Sequence, residues 1–385
     1  MNYDTPEEAN IMRQTVREFA EKEIKPKAQE LDEKEEFSPK ITKKMGDLGL
    51  FGVYLPESYG GAGLSYLEYI IAVEELARID GSQAATVAAH NSLGIGPIYY
   101  FGTEEQKEKY LPKLTTGDKL WAFGLTEAEA GSDAGGTKTT GVKNGDEWTL
   151  NGSKIFITNA SPPHSLGVTV QAVTGKRPDG KKSYSCFLLE HGAEGFSEQL
   201  MKKKFMWRSS LTSQLFFNNV KVANHQILGS EGEGFHQMLD TLDKGRLSIA
   251  AMGLGCAQGA YELGLKYAKE RKAFGQQISK FQINAFKLAD MFVEIEAARN
   301  LLYKATWLYD QGRKEYKTYA SMAKLYCSEV AYRAVNHAVQ LHGGYGLMKD
   351  YQVERFYRDQ KLLEIGEGTS EVLRLVISRY IGCYD

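Results

Sequence analysis

Glu367 stands between Gly366 and Gly368, directly ahead of Thr369-Ser370-Glu371. The hydroxyl-to-acid pattern reads as a helix start, and a carboxylate on a glycine elbow beside a helix N-terminus can serve as a positioned base. It can equally be an ordinary loop acid. Residues 124–136 (GLTEAEAGSDAGG) form a run of small and hydroxyl residues. Such a loop presents backbone N–H groups and can lie flat against a planar ligand; a plain connector would look similar. In Arg271-Lys272-Ala273-Phe274-Gly275-Gln276-Gln277-Ile278 a basic pair and an aromatic flank a glycine break. Arg271 can fork onto phosphate oxygens, or simply be a solvated helix end. Residues 340–347 (QLHGGYGL) supply a further glycine-rich stretch.

Other chemistries find little support. Gly253-x-Gly255-x-x-x-Gly259 lies in a helical run, follows no strand and has the wrong last spacing for a dinucleotide fingerprint. Close helix–helix packing explains those glycines better. No GxSxG elbow occurs, and the seven histidines form no HExxH or Cys/His cluster; His337 and His342 need not share a helix face. No metal site is expected. Cys186, Cys256, Cys327 and Cys383 are far apart and read as thiols of a reducing compartment.

Elements must hold these segments in place, and three regions emerge. Residues 1–121 read as an N-terminal helical domain, with Thr5 as N-cap, Pro6 in the first turn and Glu7-Glu8 following. A first helix runs to about Ile24, and 67–79 form another with Ile70, Ile71, Val73, Leu76 and Ala77 as its apolar stripe. Residues 56–63 (PESYGGAG) between them read as a turn-rich loop. Residues 122–232 change to short β-rich runs at 147–150, 154–158, 167–173, 184–189 and 214–217. Turns are expected at Asn144-Gly145, Asn151-Gly152 and Asp179-Gly180, giving a small antiparallel sheet or barrel. No proline follows Pro178, and residues 233–385 read as a helical bundle with helices near 233–272, 279–311, 315–342, 350–363 and 369–381.

The whole-chain properties fit a globular protein of several domains. The 385 residues are 42% hydrophobic and 25% charged, with formal net charge −2, so no electrostatic footprint for nucleic acid or anionic membrane stands out. Apolar runs such as 247–257 are too short and glycine-rich to span a bilayer. The N-terminus lacks a signal or transit pattern, so a cytoplasmic location is expected; a matured mitochondrial matrix protein would look the same.

Taken together, the segments resemble the acyl-CoA dehydrogenase family. G-L-T-E-x-x-x-G-S-D-x-x-G at 124–136 looks like its first signature. Q-x-x-G-G-x-G-L-x-x-D-x-x-x-x-R-x-x-x-D at 340–359 looks like its second. Ile157-Thr158-Asn159, the DxGR segment Asp243–Arg246, the RxxFG segment and the E-G-T-S run at 367–370 stand in the family's order. The match spans essentially the whole chain, and short-chain members look closest.

The resemblance implies an N-terminal helical domain, a middle antiparallel β domain and a C-terminal four-helix bundle, assembled as a homotetramer around FAD. By similarity, Phe123, Leu125, Thr126, Gly131 and Ser132 lie along the flavin or the thioester, and Phe156 and Thr158 pack on its other side. Arg271, Phe274 and Gln282 hold the pyrophosphate and adenosine half, as do Gln340, Gly343 and Gly344 from a partner subunit; Thr369 and Glu371 also touch FAD. Ser132, Asp243, Arg246, Gly366 and Gly368 line the substrate. Glu367 matches the catalytic base, which in one branch sits instead where this chain has Gly245. The implied reaction removes the α-proton of an acyl-CoA to Glu367, with flavin N5 as hydride acceptor. It yields a 2-enoyl-CoA and passes electrons to electron-transfer flavoprotein, in fatty-acid, amino-acid or cyclic-acid degradation.

Departures from the pattern bear on the acyl group. Gly366 replaces a tyrosine frequent in straight-chain members, which suggests room for branched or cyclic chains; a neighbouring side chain filling that space is the alternative. Residues 80–93 lack the arginine by which glutaryl-type members hold a distal carboxylate. His90 and Asn91 face either the pocket or the bundle, and Trp207 has no sequence-level explanation. Competing readings are an acyl-CoA oxidase using oxygen, for which the chain is short, a non-redox acyl-CoA-binding member of the fold, and a plain helical interaction protein.

Overall fold

The structure is a computed structural model and describes residues 6–384. The N-terminal region holds α1 (Glu7–Phe19), α2 (Lys25–Lys34), α3 (Pro39–Asp47), α4 (Tyr66–Ala77), α5 (Gly81–Ala89), α6 (Gly96–Phe101) and α7 (Glu104–Leu114). Helix α1 follows Pro6 directly; Thr5, the expected N-cap, lies outside the described residues. Helix α4 opens on a capping box, Ser65 with Glu68, and the expected stripe of Ile70, Ile71, Val73, Leu76 and Ala77 is buried. Its polar residues are buried along with its apolar ones: Glu74 and Glu75 lie inside, ion-paired with Arg13, Arg17, Arg78 and Arg299. A buried charge is tolerated only when paired in this way.

The middle region holds β1 (Leu120–Gly124), β2 (Thr140–Asn144), β3 (Glu147–Thr158), β4 (Ser165–Lys176), β5 (Lys182–Glu190), β6 (Phe196–Leu200) and β7 (Thr212–Ala223). They form one sheet in the order β1-β4-β2-β3-β7-β6, with β5 also paired to β4. The long ladders are antiparallel, while β1 runs parallel to β4. The chain turns at Asn144-Gly145 and Asp179-Gly180 as expected.

Asn151-Gly152 is not a turn. It is a bulge inside one continuous strand, β3, where the ladder with β7 shifts register between Leu150 and Gly152. A Cβ on Gly152 would fall 2.5 Å from Thr139 Oγ1 and 2.7 Å from Thr139 Cα. The glycine is therefore demanded by close backbone approach, and Asn151 bonds across to Asn219.

The C-terminal region holds α8 (Gly234–Glu270), a hairpin of β8 (Lys272–Ala273) and β9 (Gln276–Gln277), α9 (Gln282–Asp310), α10 (Tyr316–His342), α11 (Val353–Asp359) and α12 (Ser370–Tyr380). Helix α10 packs against α8, α9 and α12, making the bundle. The glycines of α8 allow close approach, of α10 at Gly253 and of α4 and its C-terminal end at Gly255 and Gly259. A Cβ at Gly253 would sit 2.9 Å from Cys327 O, one at Gly255 would overlap Glu74 O, and one at Gly259 would overlap Arg78 O and the Phe356 ring. Among the described residues no helix is long and apolar enough to cross a membrane.

Candidate active site

The site centres on the turn before α12. Thr369 is the N-cap of α12 and accepts a hydrogen bond from Val372 N–H at 3.2 Å. The chain reaches that cap through two left-handed residues, Glu367 at φ +54° and Gly368 at φ +104°. A non-glycine residue in this region is strained, and such strain persists only where surroundings impose it. They do so here, from α10. Ser328 Oγ donates to Leu363 O at 2.8 Å, and Lys324 Nζ donates to Gly368 O at 2.6 Å. The glycine elbow is thus clamped on both sides.

This conformation directs the Glu367 carboxylate across to α8. Its nearest feature there is Gly245, where a Cβ would fall 3.0 Å from Glu367 Cδ and closer still to Oε2. The residue keeps some exposed surface, yet its Oε2 is fully enclosed and has no hydrogen-bond partner. Desolvation therefore dominates and pushes the carboxyl up to about 7, opposed by the nearby charges of Lys324 and then Arg246. A carboxylate poised near neutrality, with one oxygen free, is suited to accept a proton from carbon.

Arg246 follows Gly245 on α8, and its Nη1 bonds Asp243 at 2.6 Å and Ser321 Oγ at 3.2 Å. Lys317 joins the same network, 2.7 Å from Asp240 and 3.2 Å from Asp243. The expected substrate contacts Asp243, Arg246 and Gly368 are thus brought together beside Glu367. Gly366 lies one residue before it, and the three atoms nearest a Cβ there all belong to Leu362, at 3.5 Å and beyond.

The loop following β1 is nailed to β3. Lys154, fully buried, donates to Glu127 Oε1 at 2.8 Å and Leu125 O at 3.0 Å, and Ile155 N–H bonds Thr126 O at 2.9 Å. Phe123, Leu125 and Thr126 are thereby held beside the strand that carries Phe156 and Thr158. Phe156 is 60% exposed at φ +63°, and nothing lies within 4 Å of a Cβ on Gly131; Ser132 is exposed.

A second cluster lies at the end of the bundle. The β8–β9 hairpin, expected only as a break between helices, turns on Phe274 and Gly275 at φ +51° and +81° and leaves Phe274 95% exposed. Arg271, His342, Gly343, Gly344 and Tyr345 line one cavity of about 440 Å³ there. Gln282 begins α9 and Gln340 lies exposed near the end of α10. Thr369 and Glu371 stand instead at the start of α12. Among the described residues no hydrogen bond or ring contact joins the hairpin cluster to the β1–β3 loop.

These surfaces suit the two ends of a dinucleotide. Two aromatics are held outward in left-handed backbone, and open glycines stand next to an arginine. Phe123, Leu125, Thr126, Phe156 and Thr158 would hold the flat ring, and Arg271, Phe274, Gln340, Gly343 and Gly344 the phosphates and adenosine.

Three residues left open by the sequence are structural. His90 is fully buried; its Nδ1 accepts from Trp121 N–H at 3.2 Å, which places the proton on Nε2 toward Leu114 O at 2.8 Å, and burial pushes it down to about 4. Asn91 bonds Gly52 N–H, Leu50 O and Val87 O. Trp207 is buried against Gly81, and its backbone N–H donates to Asp359 Oδ1 at 2.7 Å. Sequence reading missed Lys324 and Lys154. The available signal was a lone lysine on an otherwise small and apolar face, as in Ala320-Ser321-Met322-Ala323-Lys324.

Comparison with known proteins finds matches over nearly the whole chain. Models for the N-terminal, middle and C-terminal domains of acyl-CoA dehydrogenases match residues 6–118, 122–220 and 232–382. The chain is 49% identical to a probable acyl-CoA dehydrogenase of Bacillus subtilis, covering 99% of this chain and 100% of the relative. It is 47% identical to a short-chain specific acyl-CoA dehydrogenase of Clostridium acetobutylicum, covering 98% and 99%. The solved butyryl-CoA dehydrogenase of Megasphaera elsdenii superposes with a TM-score of 0.95 at 41% identity, covering 99% and 100%.

Proposed function

The chain belongs to the acyl-CoA dehydrogenase family, oxidoreductases that depend on FAD, and from that premise we propose that Glu367 abstracts the α-proton of a short acyl-CoA, including branched or cyclic chains. The observation that carries the base assignment is the enclosed, unpartnered Glu367 Oε2 opposite Gly245. When bound, FAD supplies the hydride acceptor.

The chain's own residues do the rest. Asp243 and Arg246, already paired at 2.6 Å, hold the CoA arm so that the thioester reaches the elbow. The Glu367 N–H, pointing from a clamped left-handed turn, can donate to the thioester oxygen as charge develops there. Enclosure of the carboxylate raises its affinity for the α-proton, and ligand entry excludes further water. Absence of a ring at Gly366, where the three atoms nearest a Cβ belong to Leu362 at 3.5 Å and beyond, supports a wider acyl pocket.

Electrons pass on to electron-transfer flavoprotein in the same reading, and the subunits assemble as a homotetramer. Ile283, Phe286 and Val293, exposed along α9 at helical spacing, support burial in a larger assembly. The division at 121/122 and 232/233 is part of this proposal; β1 starts at Leu120 and α8 at Gly234.

The test is an anaerobic titration of flavin absorbance with straight, branched and cyclic acyl-CoAs. Wild-type protein should bleach and Glu367→Gln should stay yellow while still binding the ligand. Bleaching of Glu367→Gln at the wild-type rate would remove Glu367 as base. Bleaching by butyryl-CoA alone would remove the branched or cyclic reading.

A further inference from the structure

One face of α10 organises everything around the elbow. Ser321, Lys324 and Ser328 follow at spacings of three and four and so share a side of the helix. Ser321 Oγ takes a hydrogen bond from Arg246, Lys324 Nζ donates to Gly368 O, and Ser328 Oγ donates to Leu363 O. The two serines are small and neutral. Lys324 is a charged side chain with no exposed surface, and its position is harder to explain by packing alone.

We propose that Lys324 is a positioning residue for the proton-abstracting carboxylate. Its ammonium group fixes the carbonyl of Gly368, the residue that follows Glu367, and keeps a positive charge beside the carboxylate. The inference rests on Glu367 being the base. The groups facing Glu367 are Lys324 from α10, Arg246 from α8 and the Tyr69 phenol from α4. Arg246 is partly neutralised by Asp243, whereas Lys324 has only a backbone carbonyl as its hydrogen-bond partner, with Glu364 and Glu371 acting from further along the chain. Burial draws Lys324 down to about 8 and Glu367 up to about 7, and the attraction between their opposite charges opposes both shifts.

The alternative is a lysine that only braces the loop. The two roles separate in a pH profile. A brace sets how much enzyme is active at every pH, whereas a charge beside the base sets where activity begins.

The experiment measures kcat/KM for butyryl-CoA against pH on the holoenzyme for wild type, Lys324→Gln, Lys324→Met and Lys324→Arg. Infrared difference titration follows the Glu367 carboxyl, identified by its loss in Glu367→Gln. Lys324→Gln keeps a donor for Gly368 and loses the charge, so it carries the test should the methionine variant fail to fold. The acidic limb and the infrared midpoint should move up by about one pH unit in the Gln and Met variants and stay near wild type in the Arg variant. Rates that fall equally at all pH values, with an unmoved infrared midpoint, would overturn the proposal. The infrared midpoint reports the carboxyl even if Glu367→Gln retains activity, which would sink the base assignment and not the electrostatic pairing.

Discussion

Replacing Gly245 with alanine isolates the geometry of the proposed base from the stability of the fold. Position 245 lies inside α8, where alanine is favoured over glycine by about 1 kcal/mol on helix propensity alone. The new methyl would fall 3.0 Å from Glu367 Cδ and well inside contact distance of Oε2. No backbone atom is among the three nearest neighbours of that methyl; all three belong to the Glu367 carboxylate. A carboxylate is the far end of a flexible side chain, so it yields and the fold survives. It must retreat by about 1 Å, and a misplacement of that size costs roughly 100-fold in rate. We therefore expect Gly245→Ala to unfold within a few degrees of wild type, to retain flavin, and to lose about 100-fold in kcat/KM for butyryl-CoA. Steady-state assays with a dye acceptor, with thermal unfolding on the same samples, measure both quantities. A variant with undiminished kcat/KM would refute the placement of the base opposite Gly245.

Further expectations concern pH, pocket shape and packing. Glu367 has a folded pKa raised from an ordinary 4.5 to about 7, so between those values the native state holds a proton that the unfolded chain has lost. Its contribution to stability is present at low pH and fades as pH rises through about 7, with Asp359 acting in the same direction. Activity should rise over that window, and Glu367→Gln, inactive, should be more stable than wild type at pH 8 by on the order of 2 kcal/mol in denaturant titrations. Gly366→Tyr should reduce kcat/KM for branched acyl-CoAs more than for butyryl-CoA, since a Cβ there comes no closer than 3.5 Å to its nearest neighbour, Leu362; equal losses would argue that the ring does not reach the acyl group. Gly259→Ala, which overlaps Arg78 O and the Phe356 ring, should cost about 3 kcal/mol of stability in the same denaturant assay, and a neutral result would mean α4 and α8 are less closely packed than described.

What the sequence determined by itself is local or compositional. Gly145 and Gly180 announced turns, the proline-free tract announced the bundle, and Thr369 announced the cap of α12, because each depends on neighbours within a few residues. The ordered motifs singled out Glu367 among the chain's acids. Tertiary structure decided the rest. Asn151-Gly152 has turn chemistry, yet Thr139 pressing on the backbone makes it a bulge in β3. His90 and Asn91 could have faced a ligand, and only the carbonyls and N–H groups that surround them commit them to the interior. The approach of Glu367 to Gly245, with Lys324 bonded to Gly368 beside it, joins three stretches of chain far apart in sequence. Whether a carboxylate is an ordinary acid or a base poised near neutrality depends on burial and on charges brought in from other helices, and those are set only when the helices pack.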